Sequence, residues 1–348
     1  MDGSILIENG VGEVRAVAVG ADQRPFSLFV SRSNFGDHFA KWGQTYPAIL
    51  KKIAPDQGGG FADISSGETV FLRAKELRQL AEGARVNVKI EAEARRSKFA
   101  RASVVEQLYE HQDPFSVWKG RLPGANVFKE EQVPPGASVI DEAFEEALSP
   151  FVTLPGGGLL RLSETPALIA IDIDTAGRRD AGRSYDRAHT VNLVAAKEAA
   201  RQISLRGLGG LMVLGCVAPL RNDKKGEIKS AFLETFRQYS SQKVDAINPS
   251  RFGLLEAAIA WRHRPVAHRL LQDQGGETHM TVYMALVRDL ERELVSDPAG
   301  SYGLSLTHAL ESIHNQFSVQ MSQALSARYG SQFSIEISPN DKSKVTRQ

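Results

Sequence analysis

Two aspartates, Asp172 and Asp174, close the apolar run Ala167-Leu168-Ile169-Ala170-Ile171-Asp172-Ile173-Asp174-Thr175. Two residues apart in a strand, their side chains leave on one face, where they could share a divalent cation that prefers oxygen ligands. A buried strand that delivers acids at its C-terminal end suits phosphate chemistry, because open α/β sheets bind ligands there. The polar, glycine-bearing stretch from Ala176 to Tyr185 then releases the chain from the sheet. Taken alone, Asp174 has an equal claim to be a residue that caps or solvates this loop.

The elements that must position these acids follow from periodicity. Leu193, Ala196, Ala200 and Ile203 recur at helix spacing, and Gly207-Leu208-Gly209-Gly210 closes the helix. The apolar run 211–217 comes next, so strand, helix, strand predicts a parallel βαβ crossover. Upstream, 140–148 reads as a short amphipathic helix, and 151–153 and 159–162 as a hairpin around Gly156-Gly157-Gly158. Downstream, Ile228, Ala231, Phe232, Thr235 and Tyr239 share a helical face, 244–247 is strand-like, and a helix is expected to run to His263 before Pro265.

The N-terminal third has a different texture. Runs at 5–8, 14–19 and 26–30 predict an antiparallel meander. Between about residues 40 and 105 come short strands with glycine breaks, at 46–50, 58–64, 70–72 and 86–90, which suit an OB-fold barrel. Residues 108–134 read as loop. At the C-terminal end, 280–295 and 304–329 read as helices, 333–337 as a strand and 342–348 as a disordered polar tail.

Composition narrows the function classes. With 348 residues and 42% hydrophobic content there is material for several cores, and a formal net charge of +1 confines any polyanion binding to local patches. The single cysteine, Cys216, excludes disulfides and cysteine-based zinc sites within one chain. No stretch approaches the roughly 20 apolar residues that span a bilayer, and Met1-Asp2-Gly3-Ser4 lacks the basic start of a signal peptide. A cytoplasmic protein with no membrane partner is the expectation.

Ala170 to Asp174, Asn192-Leu193, Ala199-Ala200-Arg201-Gln202 and Leu205 to Gly210 resemble, in order and spacing, the catalytic region of the bacterial ribonuclease E/G family. Similar matches lie at Trp118-Lys119-Gly120, Leu154 to Gly158 and Ser250 to Glu256. The resemblance implies an α/β and α+β multidomain chain. Its parts would be an RNase H-like subdomain (1–37 and 106–165) interrupted by an OB-fold RNA-binding module (38–105), a DNase I-like catalytic subdomain (166–270) and a small C-terminal α+β domain (271–348). It further implies an endoribonuclease that hydrolyses single-stranded RNA with Mg2+ held by aspartates, and a possible homodimer. A phosphoesterase acting on DNA or a small nucleotide would share the catalytic subdomain, but the OB module argues against it.

By the same resemblance Phe61 and Phe71 present aromatic rings to RNA bases, Lys98 and Arg101 hold phosphates, and Arg251 is a phosphate contact beside the cleft. Four departures stand out. Phe99 replaces the family's glycine after the lysine, and the segment that reads RNA 5′ ends in longer relatives has no room. Gln272 to Gly276 replaces the paired-cysteine zinc link, so no zinc is expected. Most telling, the family's first metal aspartate maps onto Asp172, but its second falls on Gly215 and a further acid on Ala218. Asp174, where relatives commonly carry Asn, either supplies the missing metal ligand or leaves a catalytically impaired RNA-binding protein.

Overall fold

The computed structural model describes all residues except 1–2, 33–34, 36–38, 97, 125–127, 179–181 and 339–341, so the expected domain boundary at 37–38 lies outside the described residues. Strands β1 (Ser4–Asn9), β2 (Val14–Val19) and β3 (Pro25–Ser31) form the predicted antiparallel meander. The chain then enters a closed barrel of β4 (Thr45–Ala54), β5 (Gly59–Ile64), β6 (Thr69–Arg73), β7 (Arg85–Ala92) and β8 (Ala100–Val105), ordered β4-β5-β6-β8-β7. Alternation along each strand sends Leu50, Ala62, Val70, Leu72, Val88 and Ile90 inward and polar or aromatic residues outward. Five strands closed in this way fit the expected OB-like barrel.

The stretch expected to be loop contains two elements. Helix α1 (Pro114–Lys119) starts at Asp113, whose carboxylate accepts the Ser116 N–H, and β9 (Lys129–Val133) pairs in parallel with β1. The β9 sequence Lys-Glu-Glu-Gln-Val is almost wholly exposed, so no apolar alternation marks it as a strand. After α2 (Ser138–Leu148), the segments β10 (Phe151–Thr153), β11 (Leu159–Glu164), β12 (Ile169–Asp174), α3 (Ser184–Arg206), β13 (Gly210–Gly215), α4 (Lys225–Tyr239), β14 (Val244–Ala246) and β15 (Leu254–Ile259) follow. Their strands make one sheet, ordered β10-β11-β12-β13-β15-β14, and β12-α3-β13 is the predicted parallel crossover.

Two expectations are corrected in this sheet. The resemblance places the β10–β11 hairpin with the N-terminal subdomain, yet β11 pairs with β12 from Glu164↔Ile169 to Leu159↔Asp174. The helix expected to reach His263 is strand β15, because Leu255, Ala257 and Ile259 are buried in alternation with Glu256 and Ala258, a period of two. Helices α3 and α4 cover one face of the sheet, where Ile203, Phe232 and Phe236 are fully buried. Full burial of such a side chain contributes about 1.5–3 kcal/mol. Arg201 is buried beside them and pairs with Glu198 and Glu146, so this family-like stretch of α3 is structural. Removing one partner of such a buried pair costs about 3–5 kcal/mol.

The remaining elements are α5 (Val266–Leu270), α6 (His279–Ser296), β16 (Tyr302–Leu306), α7 (Glu311–Tyr329), β17 (Phe333–Ile337) and β18 (Lys344–Arg347). Residues 304–306, expected to open a helix, are strand, because Leu304 and Leu306 are buried on one face with Ser305 between them. The expected disordered tail contributes β18, whose backbone pairs with β16 although Val345 is its one apolar residue. Nor does the C-terminal part stand alone. It forms one compact unit with residues 1–38 and 126–145, in which Val11 and Phe35 share its core, while 39–125 and 146–265 form the second unit. Among the described residues no helix is long and apolar enough to cross a membrane.

Candidate nucleic-acid interface and carboxylate site

On the barrel, strand register gathers residues that sequence left scattered. Lys52 pairs with Phe61, Phe61 with Phe71, and Phe71 with Arg101, so a cation, two rings and a second cation form one row across β4, β5, β6 and β8. The Phe61 and Phe71 rings meet edge to face at 5.5 Å, and Phe99 meets Phe61 in the same manner at 5.2 Å. Phe99 is 58% exposed, so it adds a third ring to the row. Gly59 makes room for it all: a Cβ there would lie 2.5 Å from the Phe71 ring and 2.1 Å from the Leu72 carbonyl oxygen. Burial, with Arg73 nearby, pulls the Arg101 guanidinium below its ordinary pKa, and it remains a cation at neutral pH. Lys98 is exposed on the turn before β8, bonded through its backbone to Arg95. Lys52 went unread in the sequence, because its place depends on a register that only pairing reveals, and Phe99 stands out there only as a departure and not as a ring of the row.

On the sheet, Asp172 and Asp174 are both exposed on the face opposite α3 and α4. Asp172 sits across from Arg161 on β11 and beside Gly215 on β13. The Asp174 Oδ1 accepts the Ala176 N–H at 2.8 Å, which is the loop-capping arrangement. The loop is anchored further by Arg178, which donates to the carbonyls of Pro155 and Gly157, both at 2.9 Å. Gly158, at φ +84°, admits this close approach, since a Cβ would lie 2.7 Å from the Asp174 carbonyl oxygen.

Two contacts shape the other rim. Buried Asn192 on α3 clasps the backbone of Val217, accepting its N–H at 2.8 Å and donating to its carbonyl at 2.9 Å. Cys216 donates its N–H to Gly253 at 2.7 Å, which brings the turn carrying Arg251 and Phe252 against the end of β13. The Arg251 guanidinium lies over the Phe252 ring at 4.7 Å, and Phe252 is 73% exposed. An exposed ring carrying a cation can meet a base and its phosphate together. The neighbouring arginines are used otherwise: Arg262 lies over Trp42, and Arg264 lies over Phe39 and bonds Glu68, tying the barrel to the sheet. Burial pushes the Cys216 thiol up to about 11, so it is an inert thiol at neutral pH.

The structure therefore brings Asp172, Asp174 and Arg251 to the sheet, and Phe61, Phe71, Lys98 and Arg101 to the barrel. The first set lies within the stretch that known proteins match. A model described as the ribonuclease E/G family matches residues 122–260. Over 119 residues, 34% of this chain, identity to Ribonuclease E of Escherichia coli (strain K12) is 38%, covering 11% of that protein. The Ribonuclease E/G-like protein, chloroplastic, of Arabidopsis thaliana is 37% identical over 123 residues, covering 34% of this chain and 12% of that protein. Putative ribonuclease E of Buchnera aphidicola subsp. Baizongia pistaciae is 34% identical over 119 residues, covering 34% of this chain and 28% of that protein. The matched stretch thus spans a minor part of each relative's length. The barrel lies outside the family match, and its assignment rests on geometry.

Proposed function

We propose that the chain binds single-stranded RNA along its barrel, a reading supported by the match of residues 122–260 to the ribonuclease E/G family. The observation that supports this is the row Lys52, Phe61, Phe71, Arg101, with Phe99 against it. Aromatic faces stack on bases without demanding sequence, and flanking cations hold the backbone. Binding of a fluorescent single-stranded RNA, measured against salt, tests it. Affinity should fall as salt rises, and Phe61→Ala with Phe71→Ala should lose about 1–3 kcal/mol per ring removed. Wild-type affinity in the double variant would overturn the proposal.

Magnesium-dependent hydrolysis of that RNA is the second function the geometry favours, because Asp172 and Asp174 are exposed on one face of the sheet. Mg2+ keeps several waters and is held by one or two carboxylates plus substrate phosphates, so two exposed acids fit it as ligands. Among the described residues no group of three or more His, Cys, Asp or Glu side chains could hold a metal, so Asp172 and Asp174 would hold the cation only together with water and RNA phosphate oxygens. When bound, the cation supplies an acidified water and neutralises phosphate charge. The chain's own part is to orient: Asn192 and Arg178 fix the two loops around the acids, and Arg251 with Phe252 takes the strand beside them. Cleavage of an AU-rich single-stranded RNA in Mg2+ or Mn2+ decides between the two functions. If the wild type leaves it intact while Gly215→Asp cuts it, the chain is an RNA-binding member of the family whose metal site has lapsed.

A further inference from the structure

A groove of about 430 Å3 crosses the outer surface of the barrel beside the aromatic row, lined by Pro47, Ile49, Lys51, Asp63, Arg85 and Asn87 among others. Its floor is apolar, with Ile49 40% exposed, and register fixes its walls. Ile49 pairs with Asp63 on one side and Arg85 on the other, and Pro47 pairs with Asn87. Lys51 lies 3.7 Å from Asp63, and Asp63 also accepts the Thr69 hydroxyl at 2.8 Å, so the one acid in the groove is partly offset. The Asn87 amide donates to the Glu106 carbonyl at 3.3 Å, and the residue lines the groove on its β7 side.

Groove and row are continuous. Phe61 and Asp63 are two apart on the outer face of β5, a step of about 7 Å. The register of β4 shifts between Leu50 and Lys52, a bulge that leaves successive lysines both exposed: Lys51 lines the groove and Lys52 joins the row. An extra residue in a strand re-aims its neighbours, and here it spreads two cations over adjoining surfaces.

Building on the RNA-binding proposal above, we infer that this groove is a second nucleotide subsite, taking the part of the same RNA strand that runs on from the bases stacked on Phe61 and Phe71. A base lies on the Ile49 and Pro47 floor with its amino edge toward Asp63 and Asn87, and Lys51 and Arg85 hold the flanking phosphates. A carboxylate accepts and never donates, so bases that present N–H groups are preferred there.

The test compares a dinucleotide with a dodecanucleotide of RNA, each fluorescently labelled, on the full chain. The dinucleotide has a base for each of the Phe61 and Phe71 rings and none for the groove, whereas the dodecanucleotide reaches the groove. Lys51→Ala with Arg85→Ala, both at exposed positions, should weaken dodecanucleotide binding about tenfold at moderate salt and flatten its log–log salt slope by about 1.4, because two phosphates of a single strand go without their protein cations. Dinucleotide binding should change less than about twofold. Equal effects on both lengths, or none on either, would overturn the subsite. Phe61→Ala with Phe71→Ala separates the two claims. Should that variant bind both lengths like wild type, it is the underlying reading of the aromatic row that fails, whereas loss of binding there with no length dependence in the lysine and arginine variant overturns the subsite alone.

Discussion

Gly215 and Asp172 face each other across neighbouring parallel strands with space between them: a Cβ added at Gly215 would lie 3.8 Å from the Asp172 Oδ1, an ordinary contact. The backbone of Gly215 is not left-handed, so a side chain there meets no strain of its own. Gly215→Asp should therefore fold, with a cost of at most about 1 kcal/mol from two like charges on adjacent strands. Magnesium should remove that cost and raise the melting temperature of the variant more than that of the wild type. Equal magnesium effects on both proteins would show that the pair does not bind the cation.

Asp174 has two possible jobs, and asparagine separates them. Asp174→Asn keeps an oxygen that can accept the Ala176 N–H, so stability should change by less than about 0.5 kcal/mol, while any magnesium-dependent cleavage should fall at least tenfold. Asp172→Asn should abolish cleavage and leave RNA affinity nearly unchanged, because neither acid attracts a polyanion without its cation. Full cleavage by Asp174→Asn would assign that residue to the loop alone.

Phe99 adds an exposed ring beside Phe61. Phe99→Gly should weaken RNA binding by about 1–3 kcal/mol, the worth of one stacking face, without a matching loss of stability, since the ring is more than half exposed. Anisotropy titration beside a thermal melt reads both quantities. Loss of stability with unchanged affinity would make Phe99 a packing residue.

The barrel ends at Val105 and α1 begins at Pro114, leaving a short link where longer relatives are expected to read RNA 5′ ends. Matched RNAs carrying 5′-triphosphate, monophosphate or hydroxyl should bind within about twofold of one another, apart from the small extra attraction of the added charge. A clear preference for monophosphate would mean that another surface has taken that role.

Acid should weaken the unit that contains Glu13. Burial raises this carboxyl's pKa, but Arg32, Arg288 and Arg15 together outweigh it and hold the value below the ordinary 4.5. A depressed folded pKa means that the stabilisation is fully present above 4.5 and lost as pH falls through the lower folded value. Glu13→Gln should cost about 3–5 kcal/mol at pH 7, the range for a buried pair broken at one partner. It should also show a shallower loss of stability as pH falls below 4.5 in urea titrations. The same slope in both proteins would contradict the assignment.

The sequence by itself determined the βαβ crossover, the paired exposure of Asp172 and Asp174, and the barrel. Each is written in short-range periodicity: period two in Ile169, Ile171 and Ile173, helix spacing in Ala196, Ala200 and Ile203, glycine breaks between strands. The tertiary structure decided what local pattern does not encode. Strands β9 and β18 are held by backbone bonds to β1 and β16, and their polar side chains carry no signal. A run that also reads as a helix became β15 because β13 and β14 offered edges on both sides. Lys52 entered the aromatic row through a bulge, and Gly215 acquired meaning as a gap only when its strand was laid beside Asp172. Register and adjacency are relations between distant segments, set by which edges and faces the folded chain leaves open, and a side chain's own neighbours in sequence do not carry them.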